Sequence, residues 1–237
     1  MKPVVAPKVI IIDLDGTLMD TAPDLAAATI ATMADMQRSV PTIDQVRGWI
    51  GAGVDRLLHR ALTSLMEGEA SAKDMQAAGA FFIGHYNRMN GLETVLYPGV
   101  LEALEWWHRE GIPMACVTNK PERYTLPLLE QFGLGKYFKV VFSGDSLPTK
   151  KPDPQPLLRA AEELGVEVSS CLMIGDSAAD VSAALNACMP VAYVSYGYNQ
   201  GRNLQELGEA LEVGSFMDLE SLWRQPPGCA EARALHG

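Results

Sequence analysis

Asp13 and Asp15 stand two residues apart at the end of the apolar run Val9-Ile10-Ile11-Ile12, and Gly16 and Thr17 follow at once. Such a run reads as a buried strand that stops at a reactive edge. Residues i and i+2 of a strand project from the same face, so the two carboxylates would share one small space. They would repel unless a cation lies between them or one of them holds a proton. Both remedies suit phosphoryl transfer, in which one carboxylate attacks while the other serves as an acid. Gly16 frees the backbone for a sharp turn, and Thr17 can hydrogen-bond and orient the carboxylate pair.

Three later segments extend the pattern. The apolar run Ile112–Val117 ends in Thr118-Asn119; Lys150-Lys151-Pro152 follows Val140-Val141-Phe142; and Cys171-Leu172-Met173-Ile174 ends in Gly175-Asp176, with Asp180 four residues on. A hydroxyl, a lysine and further carboxylates thus follow successive predicted strands, where open α/β sheets place their ligand sites. In this order the motifs resemble those of the haloacid-dehalogenase-like phosphatase superfamily: Asp-x-Asp-Gly-Thr, a Ser or Thr, a Lys, and Gly-Asp-x-x-x-Asp. The resemblance spans roughly residues 8–223.

The resemblance implies a role for each position. Asp13 would be the nucleophile and Asp15 the acid and base. Thr118 and Lys151 would clamp the transferring phosphoryl oxygens. Lys151 rather than Lys150 fits the Lys-Pro-x-Pro pattern, which leaves Lys150 as a solvated neighbour. Mg²⁺ would be held by Asp13, the backbone carbonyl of Asp15 and Asp176. Asp180 stands either on the metal or beside it as a first-turn helix acid. Asn119 would add a backbone amide to the phosphate, whereas Lys120 reads as a surface charge. Within the superfamily, Asp20–Leu25, Trp49–Gly53, Val117–Pro121 and Ser195-Tyr196-Gly197-Tyr198-Asn199 look like the bacterial phosphoglycolate phosphatase group. That implies hydrolysis of 2-phosphoglycolate, with a phosphosugar phosphatase or a phosphoglucomutase-like transferase as the alternative. A receiver-type phosphoacceptor domain also uses Asp, Thr and Lys around Mg²⁺, but it needs neither Asp15 nor a cap.

The elements that must position these residues fall into two patterns. Residues 22–36 are helical, with Thr21 as N-cap; a second helix starts at Thr42 (Ile43, Val46, Ile50) and is broken by Gly51-Ala52-Gly53. Val54, Leu57, Leu58, Ala61, Leu62 and Leu65 form a helical stripe, and Ser71 to about Asn90 forms one more helix. From Pro98 on, helices and strands alternate: helix 99–110 (Leu101, Leu104 and Trp107 on one side), strand 112–117, helix 121–132, strand 139–143, helix 154–164, strand 171–174, helix 178–187 and strand 191–195. Leu204–Leu211 and Leu219–Trp223 read as short closing helices. Alternation argues a parallel sheet with helices on both faces. With the resemblance, the fold is α/β: a Rossmann-like core (residues 1–20 and 98–223), an inserted all-helical cap (21–97) hinged near Met19–Thr21 and Tyr97–Gly99, and a tail (224–237). Gly51 and Gly53 in the cap would read a substrate carboxylate, with Arg47 or Arg56 as possible countercharge.

Composition narrows the classes further. The 237 residues are 48% hydrophobic and 20% charged, an ordinary soluble globular composition. A net charge of −10 without basic runs argues against nucleic-acid binding, so a phosphate site must rely on local cations. Cys116, Cys171, Cys188 and Cys229 show no metal spacing and read as thiols in a reducing cytoplasm. No apolar run reaches transmembrane length, and Pro3 and Pro7 speak against a signal peptide. His59, His85, His108 and His236 share no metal-like spacing. The expected partner is a small phosphorylated metabolite, and the chain is expected to be a monomer or homodimer.

Overall fold

The computed structural model describes residues 6–199 and 202–223; the expected tail at 224–237, Cys229 and His236 lie outside them. Strand β1 (Val9–Ile12) is fully buried and occupies the middle of the sheet. With β4 (Met114–Val117), β5 (Phe138–Phe142), β6 (Cys171–Gly175), β7 (Val191–Val194) and β8 (Leu211–Val213) it forms a six-stranded parallel sheet, in the order β5-β4-β1-β6-β7-β8. Ile10 pairs with Met114 on one side and Leu172 on the other.

Strand alternation divides the core. Ile10 and Ile12 join Met114, Cys116, Leu104, Trp107, Phe216 and Leu219, the last four from α5 (Val100–Arg109) and α9 (Phe216–Trp223) where they are not strand residues. Val9 and Ile11 turn the other way, toward Leu157, Ala160, Val181 and Ala184 of α7 (Gln155–Glu163) and α8 (Ala178–Asn186). Successive side chains of a strand point to opposite faces, so helices cover the sheet on both sides, as the alternation implied. α6 (Glu122–Gln131) completes the crossover from β4 to β5.

Two expectations fail at the carboxyl-terminal side and in α5. Leu204–Leu211 is not one helix: a 3₁₀ turn covers Leu204–Leu207, and Leu211 opens strand β8 beside β7. Gly208, at φ +153°, separates the two pieces. Leu101 is exposed, and the buried side of α5 is formed instead by Val100, Ala103, Leu104, Trp106 and Trp107.

Between β2 (Met19–Asp20) and β3 (Val95–Leu96) lie four helices: α1 (Ala22–Asp35), α2 (Ile43–Arg47), α3 (Val54–Thr63) and α4 (Ala72–Met89). The chain leaves and returns through a paired antiparallel ribbon, Met19 opposite Leu96 and Asp20 opposite Val95. The helices share an apolar cluster of their own, including Leu25, Met33, Val46, Ile50, Leu58, Phe82 and Tyr86, which also takes in Tyr124 and Tyr198. α2 ends at Arg47, with a Thr42/Gln45 capping box, so Ile50 is buried from the following turn rather than from the helix. α3 ends at Thr63, and Leu65 lies outside the stripe, 62% exposed. Asp24, in the first turn of α1, accepts from Gly91 N, Glu93 N and Thr94 Oγ1 and so fixes the return loop after α4. No helix among the described residues is long and apolar enough to cross a membrane.

Candidate active site

The carboxyl ends of β1, β4 and β6 bring the predicted residues together. Asp13 leaves β1 with its backbone N–H on Ile174 O (2.9 Å), which locks it beside β6. Lys151 is buried; its ammonium donates to Val117 O (2.7 Å) and Asp180 Oδ1 (2.6 Å) and lies 2.9 Å from Asp13 Oδ1. The last contact is an ion pair without hydrogen-bond alignment, so Asp13 Oδ1 is buried with no aligned donor. Lys151, not Lys150, is therefore the lysine beside Asp13.

Asp176 and Asp180 are held differently. Asp176 accepts from Thr17 Oγ1 (2.8 Å) on Oδ1 and from Tyr198 N (2.6 Å) on Oδ2. Asp180 accepts from Lys151 on Oδ1, and from Ser177 Oγ, Ser177 N and Asp176 N on Oδ2, as part of the α8 capping box. Carboxylate oxygens of Asp13, Asp176 and Asp180 lie within 4.8 Å of one another. Burial pushes Asp13 up to about 7, with Asp180 and Asp15 adding to it and Lys151 opposing. Burial, then Asp180 and Asp13, also hold Asp176 well above the carboxylate range. For Lys151 burial acts to lower the value, but Asp13 and Asp180 outweigh it and keep the ammonium charged. Close packing supports this arrangement: a Cβ on Gly16 or on Gly197 would overlap the Asp176 carboxylate, and one on Gly175 would overlap Asp180.

Several sequence expectations are corrected here. Thr17 holds Asp176 rather than the Asp13/Asp15 pair. Thr21 gives α1 no side-chain cap; its hydroxyl donates to Asp15 Oδ1 (2.6 Å). The Tyr198 hydroxyl takes over the capping, accepting from Thr21 N and Ala22 N while donating to Asp20 Oδ1. Lys120 is not a surface charge: it is buried, and its ammonium donates to Asp15 Oδ1 (2.9 Å) and the Tyr86 hydroxyl (2.6 Å). Arg47 is committed to Asp20 through both terminal nitrogens, and Arg56 to Glu67 and Glu69. The Asn119 side chain donates to Lys151 O (2.9 Å), bracing the lysine loop. Lys150 is half-buried, with Nζ 3.2 Å from where a Cβ on Gly53 would stand.

A cavity of about 30 Å³ opens at this point. Asp13, Asp15, Thr118, Asn119 and Lys120 line one wall; Gly51, Gly53, Leu25, Ile50, Val54 and Leu57 from the inserted helices line the other. Thr118 is held there with its backbone N–H on Phe142 O and its hydroxyl accepting from Lys120 N. Two carboxylates just past the end of one strand, Asp13 beside the buried Lys151 and Asp15 beside the buried Lys120, form an arrangement suited to phosphoryl transfer.

The model of the haloacid dehalogenase-like hydrolases matches residues 7–187. The chain belongs to that family. Two hydrolase relatives are similar over most of it: the phosphoglycolate phosphatase of Thiobacillus denitrificans, 46% identical over 84% of this chain and 88% of its own, and that of Nitrosococcus oceani, 41% identical over 92% and 97%. The crystal structure of a predicted phosphoglycolate phosphatase from Haemophilus somnus superimposes with a TM-score of 0.85 at 31% identity, covering 92% of this chain and 99% of that one. In this haloacid dehalogenase-like hydrolase His59 accepts from Ala70 N, and His85 meets Asp35 of α1. Cys116 and Cys171 are buried free thiols in β4 and β6.

Lys120, Tyr86, Thr21 and Tyr198 are the residues that sequence reasoning missed at this site. Thr21, Lys120 and Tyr198 each fall in a stretch that carries the resemblance, which gave none of them this role, and Tyr86 falls in none. Lys120 and Tyr86 acquire their partners from elements distant in sequence.

Proposed function

We propose that this chain hydrolyses small phosphomonoesters, 2-phosphoglycolate first, with Mg²⁺ and through an aspartyl-phosphate on Asp13. The observation that carries the reading is the cavity lined by Asp13 and Asp15 of the core and by Gly51 and Gly53 of the inserted helices. The Asp13 carboxylate attacks phosphorus as the P–O bond to the leaving alkoxide breaks, and Asp15 gives that oxygen its proton. Asp15 then takes a proton from water, whose oxygen attacks phosphorus and releases Asp13 with inorganic phosphate. Thr118 and Lys151 meet the charge on the phosphoryl oxygens.

The acidic cluster fits a hard cation. Its donors are all oxygens, and a buried Asp13 oxygen lacks an aligned partner, so Asp13, the carbonyl of Asp15 and Asp176 would hold Mg²⁺. Asp180, whose oxygens already accept four protein hydrogen bonds, fits better as the group that holds Lys151 and the Asp176 loop. Bound there, the ion would neutralise charge on the phosphoryl group.

Helices α1–α4 act as a cap, residues 21–97, on a core formed by 1–20 and 98–223. The substrate carboxylate would meet the first turn of α3, which has no side-chain cap at Gly53, with the Lys150 ammonium nearby. We further propose a cytoplasmic setting, consistent with the free thiols.

Phosphate release from a series of phosphomonoesters with Mg²⁺ tests the reading; wild-type protein inactive on all of them would reject it. Gly53 adopts φ +87°, and a Cβ there would crowd Lys150. Gly53→Ala is therefore expected to lower kcat/KM for phosphoglycolate by roughly tenfold, while p-nitrophenyl phosphate loses only about twofold, a difference on the scale of 1 kcal/mol. Parallel losses on both substrates would remove the carboxylate role of this loop.

A further inference from the structure

Lys120 is anchored before its side chain begins. Its backbone N–H donates to Thr118 Oγ1, and its carbonyl accepts from Gly144 N (2.8 Å) and Thr125 Oγ1 (3.1 Å). From this fixed point the side chain runs inward, only 3% exposed, and ends between Asp15 Oδ1 and the hydroxyl of Tyr86. Tyr86 belongs to α4, and its ring is set by Phe82 (centroids 5.2 Å, stacked) and by the edge of Tyr124 (4.6 Å). The lysine therefore has one polar partner from the loop after β1 and one from the inserted helices.

A buried ammonium is costly unless it is paired and hydrogen-bonded. Here Asp15 supplies the charge and Tyr86 a second acceptor. We propose that Lys120 is a positioning residue for the acid/base Asp15, that Tyr86 holds it in place, and that the proton Asp15 transfers is carried on Oδ2. The assignment of the oxygen follows from the donors. Asp15 Oδ1 accepts from both Lys120 Nζ (2.9 Å) and Thr21 Oγ1 (2.6 Å), which fills its lone pairs and fixes the plane of the carboxyl group. Oδ2 is then the atom turned to the leaving oxygen. Because one of the two fixing donors depends on Tyr86, the acid is aligned only while α4 is docked, which couples closure of the inserted helices to the first proton transfer.

The inference rests on Asp15 being the acid, and the test separates the two. In a double displacement, kcat/KM reports only the steps through the first phosphoryl transfer. An alkoxide leaving group needs an acid in that step; 2,4-dinitrophenolate does not. Tyr86→Phe, which deletes one oxygen and keeps the ring, is expected to lower kcat/KM for phosphoglycolate by about tenfold while dinitrophenyl phosphate stays within about twofold. Lys120→Met is expected to lower the phosphoglycolate value by ~10²-fold, again with a much smaller loss on the activated ester. Equal losses on both esters, with either variant, would overturn the positioning role and leave Lys120 a packing element. An unchanged phosphoglycolate rate in Tyr86→Phe would remove Tyr86 from the proposal. Should Lys120→Met fail to fold, Tyr86→Phe alone decides. Asp15→Asn is the reference: if it too fails to discriminate between the esters, the acid assignment itself is wrong, whereas a selective Asp15→Asn beside unselective Tyr86→Phe and Lys120→Met overturns the present proposal only.

Discussion

Asp13→Asn is expected to abolish turnover, with a loss on the order of 10⁴-fold or more, and to leave no phosphorylated protein. An amide oxygen is a poor nucleophile, and no other carboxylate replaces Asp13. Asp15 faces Lys120 and Thr21, Asp176 is held by Thr17 and Tyr198 N, and Asp180 is spent on Lys151 and Ser177. The variant should fold. Asn is isosteric with Asp, and Lys151 keeps its bonds to Asp180 Oδ1 and Val117 O. Asp15→Asn should behave differently, slowing phosphoglycolate hydrolysis by ~10²–10⁴-fold while Asp13 still accepts phosphate from an activated donor. Trapping acid-stable protein after rapid quench with a labelled donor reads both results. Equal labelling of wild type and Asp13→Asn would show that the nucleophile lies elsewhere.

The parts of this site that the sequence disclosed are those whose position follows from one strand. Asp13, Thr118 and Asp176 each end an apolar run, and a parallel sheet brings such ends to one edge whatever the order of its strands. Lys151 was legible because of its neighbours Pro152 and Pro154. Lys120 was not, because what makes it internal is Asp15, 105 residues away, and Tyr86, 34 residues away on a helix whose docking no local pattern announces. Thr21 failed for a related reason: a residue suited to capping its own helix was recruited by Asp15, and a tyrosine 177 residues away did the capping. In the fold, β8 was lost because Leu211-Glu212-Val213 is too short to show a period of two, and it becomes a strand only by pairing with β7. Leu101 misled through a helix position that matched the spacing of Leu104 but lies on the solvent side, the core-facing stripe being set by Val100, Ala103 and Trp107. The paired ribbon β2–β3 went unread for the same reason as β8, since two-residue strands leave no trace in composition.

Stripping divalent ions is expected both to abolish hydrolysis and to change how stability depends on pH. In the metal-free protein, burial raises Asp13 to about 7 and Asp176 well above its ordinary value. A carboxyl whose folded value is raised binds its proton more tightly in the folded state than in the unfolded one. Its contribution is therefore full below the unfolded value near 4 and is lost as pH rises through the folded value. Between about pH 4 and pH 7 Asp13 should cost the folded state on the order of 1 kcal/mol per pH unit, and Asp176 acts in the same direction. The metal-free enzyme should thus melt at a higher temperature at pH 5 than at pH 8 as far as this cluster is concerned. Mg²⁺ requires the ionised carboxylates, so it should reverse the trend: at about 100 times its Kd it adds ~2.7 kcal/mol at pH 8, several degrees of Tm, and much less at pH 5. Asp13→Asn removes one raised carboxyl, so without metal at pH 8 it should be more stable than wild type, and its gain from Mg²⁺ should shrink. Thermal unfolding of both proteins at pH 5 and pH 8, with EDTA or with Mg²⁺, measures every part of this expectation. A Tm shift from Mg²⁺ that is the same at both pH values, or the same in Asp13→Asn, would mean that the ion binds away from this cluster.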